Sequence, residues 1–360
     1  MVAGVPLQQP PSQAVSPHIK VRGLTKIFGR QVDRAEGLIR EGASRADILA
    51  ATGCVVGLRN VNFDVARGEI LVVMGLSGSG KSTALRCINR LIEPTSGNVL
   101  IGTEDVTQLD EKALLAFRRR TFGMVFQQFA LFPHRTILRN VEYGLEIQGV
   151  AAEPRRARAM EAIEQVGLAH WENHYPSQLS GGMQQRAGLA RALAVNADIL
   201  LMDEAFSALD PLIRRDMQRE LVALQQKLHK TIVFVSHDLD EAIALGGRIV
   251  LMRDGEIVQD GAAIDFLTRP ADDYVRRFTS HLDVLSVITA GSVMRDPGGA
   301  IAAPACQVPT AATLYEVLPA LHADGGDVGV IDGDGRLVGL IAAGDVIAAL
   351  ARRGQGQGVA

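Results

Sequence analysis

Short apolar runs without polar interruption alternate along this chain with stretches whose apolar residues recur at helical spacing. The alternation predicts an α/β fold built on a parallel sheet. Glu69-Ile70-Leu71-Val72-Val73-Met74, Asp198-Ile199-Leu200-Leu201-Met202 and Thr231-Ile232-Val233-Phe234-Val235-Ser236 are such runs, typical of strands buried on both faces. Ala84, Leu85, Ile88, Leu91 and Ile92 share one helical face up to Pro94, which cannot continue a helix. Helices are also expected over residues 109–120, ending in the basic run Arg118-Arg119-Arg120 that reads as a solvated face, from Asn140 to about Gly188 with breaks at Gly149, Pro154 and Pro176, and after Asp210 through residue 229. Strands are expected at Ile19–Arg22, Leu24–Gly29, Val61–Val65, Gly97–Ile101 and Phe122–Gln127. Arg248–Met252, the turn Asp254-Gly255 and Glu256–Gln259 read as a hairpin. Residues 30–57 break the rhythm. Arg34, Ala35, Leu38 and Ile39 share a helical face, and Ser44 followed by Asp47 marks a second helix start, so two short amphipathic helices are inserted between strands.

A length of 360 residues exceeds what one hydrophobic core usually serves, and a second domain is expected. Residues 1–17, with Pro6, Pro10, Pro11 and Pro17, read as a loose tail. The main domain is expected over 18–280, with the helical insertion at 30–57 and a helical subdomain at about 135–190. From His281 onward the chain turns Ala- and Gly-rich and acidic, with 8 Asp and Glu against 4 Arg. Asp327–Ile331, the turn Asp332-Gly333-Asp334-Gly335 and Arg336–Ile341 form a hairpin there, and a helix begins near Asp345. A small α+β domain is expected over 281–351, and residues 352–360 read as a frayed tail.

Charge narrows the partners. A net charge of −3 gives no reason to invoke nucleic acid or an anionic membrane. No run of 18 apolar residues spans a bilayer, and the N-terminus lacks a signal-peptide pattern. Cys54, Cys87 and Cys306 lie far apart without metal-ligand spacing and read as reduced thiols. A soluble intracellular protein is expected.

The chemistry concentrates where apolar runs end. Gly75-Leu76-Ser77-Gly78-Ser79-Gly80-Lys81-Ser82 reads G-x-x-x-x-G-K-S between a strand and a helix. Small residues let backbone N–H groups turn inward around phosphate, and the helix dipole adds partial positive charge. Lys81 supplies a point charge for the β- and γ-phosphates, and the Ser82 hydroxyl is placed for Mg2+. Asp203 and Glu204 end one buried run, His237 another, and Gln127 ends the strand at Phe122. In a parallel sheet all of them lie outside the carboxyl ends of strands, where ligands bind. ATP hydrolysis needs the parts these residues offer: Asp203 to hold magnesium, Glu204 to polarise water, Gln127 to reach both, and His237 to bond the γ-phosphate. Phe28, taken alone, reads as core packing.

Leu179-Ser180-Gly181-Gly182-Met183 resembles the signature sequence of ABC ATPases, differing from its commonest form at Met183. With the phosphate loop, Gln127, Asp203-Glu204, Asp210 and His237 in the family's order, residues 19–280 resemble that family throughout. The resemblance implies a P-loop NTPase (ABC ATPase) core with an antiparallel β subdomain and a helical subdomain, acting as an ATPase. It implies that Phe28 stacks on adenine and that Gly75, Ser77, Gly78, Ser79, Gly80, Lys81, Ser82 and Thr83 bind ATP. Ser82, Gln127 and Asp203 would hold Mg2+, and Glu204, His237 and Gln127 would be catalytic. Two chains would close head to tail as a homodimer, Ser180, Gly181, Gly182 and Gln184 acting in trans and Asp210 forming the D-loop. The implied partners are an integral-membrane permease, docked at the loop Phe129 to His134, and a substrate-binding protein; the implied location is peripheral, on the cytoplasmic face of the cell membrane.

Met74–Gly80, Asn89–Pro94 and Asp203–Arg214 are similar to the ATP-binding subunit of glycine betaine/proline betaine/choline importers, which also carries an insertion like 30–57. An importer of another cargo, such as an amino acid, is the alternative. A soluble ABC ATPase acting on nucleic acid or ribosomes fits less well, because a basic face, a second cassette and zinc cysteines are all missing. The tail is similar to a regulatory CBS domain, in one copy over roughly 290–351. Ala342 stands where such domains usually carry the Thr or Ser of a nucleotide site, so a packing role is expected in preference to nucleotide sensing.

Overall fold

The computed structural model describes residues 18–280, 282–297, 304, 306–324 and 326–354. The expected tail at 1–17 lies outside the described residues, as do residues 355–360 of the expected C-terminal tail. The chain divides into two compact units between Asp260 and Gly261.

Along the first unit run β1 (Ile19–Phe28), α1 (Val32–Arg40), α2 (Arg45–Thr52), β2 (Val55–Val65), β3 (Ile70–Met74), α3 (Lys81–Ile88), β4 (Ser96–Ile101), β5 (Glu104–Asp105), α4 (Glu111–Thr121), β6 (Phe122–Phe126), α5 (Ile137–Ile147), α6 (Ala152–Gln165), α7 (Gly181–Ala194), β7 (Ile199–Asp203), α8 (Pro211–Leu228), β8 (Thr231–Ser236), α9 (Leu239–Leu245), β9 (Arg248–Arg253) and β10 (Glu256–Gly261). Two sheets form: an antiparallel one in the order β2-β1-β4-β5, and a six-stranded one in the order β10-β9-β3-β8-β7-β6. Every residue of β3, β7 and β8 is buried, as their unbroken apolar runs require. The parallel register sets Met74 opposite Ser236, and Asp203 opposite both Val235 and Phe126, so the loops after these strands open at one end of the sheet. One core joins the two sheets: Ile19, Val21 and Leu24 of β1 pack in the same cluster as Leu71, Val73, Val233 and the inner face of α3.

The insertion folds as two helices with a cluster of their own, in which Ala35, Ile48, Cys54 and Val56 meet Leu38 and Ile39. Ser44 and Asp47 cap α2 reciprocally, and Gly53 ends it in the left-handed conformation at φ 67°. Strand β2 already begins at Val55, so the insertion is shorter than expected and Val61–Val65 is only the strand's second half.

Four local expectations are corrected. Helix α3 stops at Ile88: Asn89 Oδ1 accepts the Leu91 N–H, Arg90 turns left-handed at φ 55°, and Leu91 lies exposed. Pro154 does not break α6 but sits in its first turn, where no intrahelical N–H is needed. Helix α7 continues past Gly188 to Ala194. Arg118, in a run expected to be solvated, donates to the Asn89 and Arg90 carbonyls at the end of α3.

The second unit holds α10 (Ala263–Thr268), α11 (Asp273–Phe278), α12 (Val284–Val287), α13 (Ala290–Val293), β11 (Gln307–Pro309), α14 (Leu314–Asp324), β12 (Val328–Ile331), β13 (Leu337–Ile341) and α15 (Ala343–Gly354). Strands β12 and β13 form the expected antiparallel hairpin, and β11 adds a parallel third strand. Ile264 of α10 packs on this unit's core of Leu314, Val317, Val328, Val330 and Ile341. That contact draws the boundary back from the expected 280/281 to 260/261. Helix α15 runs to Gly354, past the expected end of the domain at 351.

Candidate functional site

Strand β3 delivers the loop 75–80, and the loop's shape depends on absent side chains. Gly75, Gly78 and Gly80 have φ values of 145°, 79° and 103°. A Cβ on Gly75 would lie 2.2 Å from the Met252 carbonyl oxygen, and one on Gly80 would lie 2.6 Å from that of Gly57, whereas Gly78 faces open space. Lys81 begins α3 only 5% exposed, its ammonium donating to the Gly75 and Leu76 carbonyls at 2.8 and 3.0 Å. One of its three donors remains for a ligand. Burial pushes Lys81 below its ordinary pKa, while the charges of Glu204 and Asp203 pull it back up. Ser79 Oγ is buried without a partner. An orphan hydroxyl, an incompletely paired ammonium and a side-chain-free turn at a helix N-terminus fit a polyphosphate.

The carboxylates follow from β7. Asp203, the last residue of that buried strand, accepts from Ser82 Oγ at 2.7 Å and from Arg86 at 3.1 Å. Ser82 Oγ and Asp203 therefore present adjacent oxygen ligands, and a magnesium ion shared with substrate phosphates needs no more from the protein than such a pair. Glu204 turns out of the strand at φ 47°, a left-handed conformation disfavoured for glutamate, and the Ser207 N–H and hydroxyl both bind its carbonyl. Gln127, just past β6, donates to Glu204 Oε2 at 3.3 Å, and His237 Nδ1, just past β8, lies 3.4 Å from the same oxygen. His237 is 57% exposed and Gln127 is exposed, so this oxygen is reached from the open side. Three strand ends thus converge on one carboxylate.

A second layer holds these residues in place. Arg214 of α8 donates to Asp238, and to the Ser207 and Leu209 carbonyls, tying the loop before α8 to the residue after His237. Asp238 caps α9, and beneath it the buried Glu241 accepts from Gln218 and Ser236. Burial raises the Glu241 pKa, and the hydrogen bonds from Ser236 and Gln218 partly offset it. Arg191 reaches from α7 to the carbonyls of Phe129 and Ala130, two successive left-handed residues beside Gln127.

The remaining expected residues fall elsewhere or make few contacts. Thr83 lies in the first turn of α3, half-buried, and Asp210 stands exposed at the start of α8. Phe28 ends β1 and is 40% exposed, its ring above Gly57 and 5.1 Å from the Lys26 ammonium. Gly57 in turn abuts Gly80, so ring and phosphate loop stand one glycine apart. The signature stretch is not joined to this cluster: Ser180 caps α7 through the Met183 N–H, Gln184 bonds Leu179, and Gly181 and Gly182 form the first turn of α7. In the second unit Asp345 is engaged, accepting the Ala342 N–H at 2.7 Å and pairing with Arg295.

Arg86, Arg214 and Arg191 were not foreseen as parts of the site. Arg86 had a local signal, standing four residues after Ser82 on the same face of α3. Arg214 and Arg191 bridge segments that are distant in sequence.

Comparison with known proteins bears on this geometry. The sequence profile of the ABC transporter family matches residues 58–207. A glycine betaine/carnitine transport ATP-binding protein of Listeria monocytogenes serotype 1/2a (strain 10403S) is 56% identical over 279 residues, covering 78% of this chain and 70% of that protein. A trimethylamine N-oxide transport ATP-binding protein of Ruegeria pomeroyi is 44% identical over 326 residues, covering 91% of this chain and 95% of that protein. A dimeric ATP-binding cassette solved with ADP and phosphate bound matches with a TM-score of 0.57 and 36% identity, over 68% of this chain and 98% of the cassette.

Proposed function

This chain belongs to the ATP-binding subunits of ABC transporters, and from that premise we propose that it energises a membrane permease importing a small methylated amine of the glycine betaine class. The observation that carries the catalytic reading is the convergence of Gln127 and His237 on Glu204, beside the Ser82–Asp203 pair. Glu204 polarises the attacking water, Gln127 orients that water, and His237 donates to the γ-phosphate as charge builds there. Lys81 and the N-terminus of α3 hold the β- and γ-phosphates, while the exposed face of Phe28 takes the adenine. Ser82, Asp203 and Gln127 would hold Mg2+, which neutralises charge on the phosphates when bound. Ser180, Gly181, Gly182 and Gln184 serve the pocket of a second copy, with Asp210 at the seam. Closure of that pair around ATP drives the permease, which docks at the loop Phe129 to His134 on the cytoplasmic face of the membrane. Among the described residues no helix is long and apolar enough to cross a membrane. A substrate-binding protein delivers the cargo to that permease.

Glu204→Gln tests the chemistry: ATP binding persists, turnover stops, and an ATP-bound dimer appears on sizing columns. Hydrolysis at the wild-type rate would remove Glu204 from its role. Trimethylamine N-oxide is a second cargo reading, supported by the Ruegeria relative, whose match spans nearly its whole length. Uptake of labelled glycine betaine, choline, trimethylamine N-oxide and proline in a deletion strain separates the two, and loss of proline uptake alone would overturn both.

A further inference from the structure

The helical insertion has no part in the chemistry above, yet its contacts run to the phosphate loop. Arg59 of β2 stands at the junction. Its guanidinium donates to the carbonyls of Ala43 and Ile39 at 3.1 and 3.4 Å, the latter in the last turn of α1, where the helix dipole favours a cation. Its Nε pairs with Glu256 at 3.2 Å, and its backbone N–H donates to the Gly255 carbonyl at 2.8 Å. Gly255 closes the tight turn between β9 and β10, with φ values of 53° at Asp254 and 79° at Gly255. The Gly255 N–H donates to Ser79 of the phosphate loop at 3.0 Å. Arg45 of α2 adds a second link, 3.4 Å from Asp254.

No compressible side chain separates these parts. A Cβ on Gly80 would meet the Gly57 oxygen at 2.6 Å, and one on Gly255 would meet it at 2.8 Å. Backbone therefore packs on backbone from the phosphate loop to β2 and the turn, and a shift of the turn passes directly to Ser79 and Gly80.

We propose that the insertion is a brace for the phosphate loop, with Arg59 as the positioning residue that sets ATP affinity. Arg59 holds the end of α1 and the 254–255 turn in one register, and the turn holds Ser79 and Gly80 in phosphate-binding shape. The inference rests on the ATPase reading.

Arg59→Ala and Arg59→Lys in the full chain test it, with KM and kcat for ATP, equilibrium binding of a fluorescent ATP analogue, and thermal unfolding without nucleotide. For Arg59→Ala, KM and the dissociation constant should rise about tenfold with kcat within about twofold, the uniform-binding signature. Lysine, a point charge without the planar fork, should restore the affinity only in part. A lowered unfolding temperature with unchanged KM would make Arg59 merely structural and overturn the proposal, as would a fall in kcat at constant KM. Should Arg59→Ala fail to fold, Glu256→Gln and Asp254→Ala each remove one link, and an unchanged KM in both overturns it equally. Absence of ATP binding in the wild-type chain would sink the ATPase reading instead.

Discussion

The phosphate loop with its carboxylates and the signature stretch 179–185 are both polar, glycine-rich and placed at helix N-termini, but they are wired differently. At the first, side chains from four strand ends bond one another: Ser82 with Asp203, and Gln127 and His237 with Glu204. At the second, the bonds stay local: Ser180 caps α7 through the Met183 N–H and Gln184 donates to the Leu179 carbonyl. The first region is cross-linked within the chain and fits a polyphosphate. The other, on the proposed function, would be a donor surface for the pocket of a second copy. On the function proposed above, two half-sites in one chain would become a whole pocket when two chains meet head to tail.

The largest effect should come from Glu204→Gln, which removes the carboxylate that Gln127 and His237 both address. Turnover should fall by about 10²–10⁴-fold, with ATP affinity kept. Equal rates in variant and wild type would dissolve the first region as a catalytic unit. Next, Gly181→Asp places a carboxylate on the signature stretch, at the first position of α7, where acidic residues favour the helix. Its Cβ would meet only ordinary contacts, 3.6 Å from Phe129 and 3.8 Å from Leu209, so the chain should fold normally. Hydrolysis should nonetheless drop about 10²-fold, as when one transition-state donor is lost, while ATP binding by dilute single chains stays unchanged. Weakened binding in dilute chains would join the two regions within one molecule.

Ser180→Ala separates capping from donation. Loss of the cap costs about 1 kcal/mol of stability, read from a chemical denaturation midpoint. The rate should fall further than that loss predicts, and a rate that follows stability alone would leave Ser180 a cap and nothing more. The smallest effect concerns Glu241 beneath Asp238. Burial raises its folded pKa above the ordinary 4.5, so the folded protein holds a proton there that the unfolded chain has released. Stability therefore declines as pH rises from about 4.5 through the folded pKa, and Glu241→Gln should flatten that slope in urea midpoints. An unchanged slope would assign it to other groups.

The sequence made the first region readable because its residues end unbroken apolar runs, and a parallel sheet brings such ends together whatever the loops between. Ser44 and Asp47 announced α2 by the same local logic, through a reciprocal cap. What escaped depends on contacts distant in sequence or on side-chain capping that apolar periodicity does not register. Arg214 and Arg59 look like any surface arginine until Asp238 and Ile39 fold against them. Leu91 fits the helical stripe of α3, but the Asn89 side chain ends the helix first. The boundary at 260 turns on Ile264, whose partners at Leu314 to Ile341 lie far along the chain. Strand β11 spans only Gln307–Pro309, too short for any alternation to show.

Whether one chain's phosphate loop is served by another's signature stretch can be asked by mixing two inactive variants. Lys81→Ala lacks the phosphate-loop ammonium but keeps its signature stretch; Gly181→Asp is the reverse. Combined in equal amounts, they should regain up to about a quarter of the wild-type ATPase rate, since half of random pairs are mixed and each mixed pair holds one intact pocket of two. A mixture as inactive as its components, with dimers present, would contradict the shared pocket.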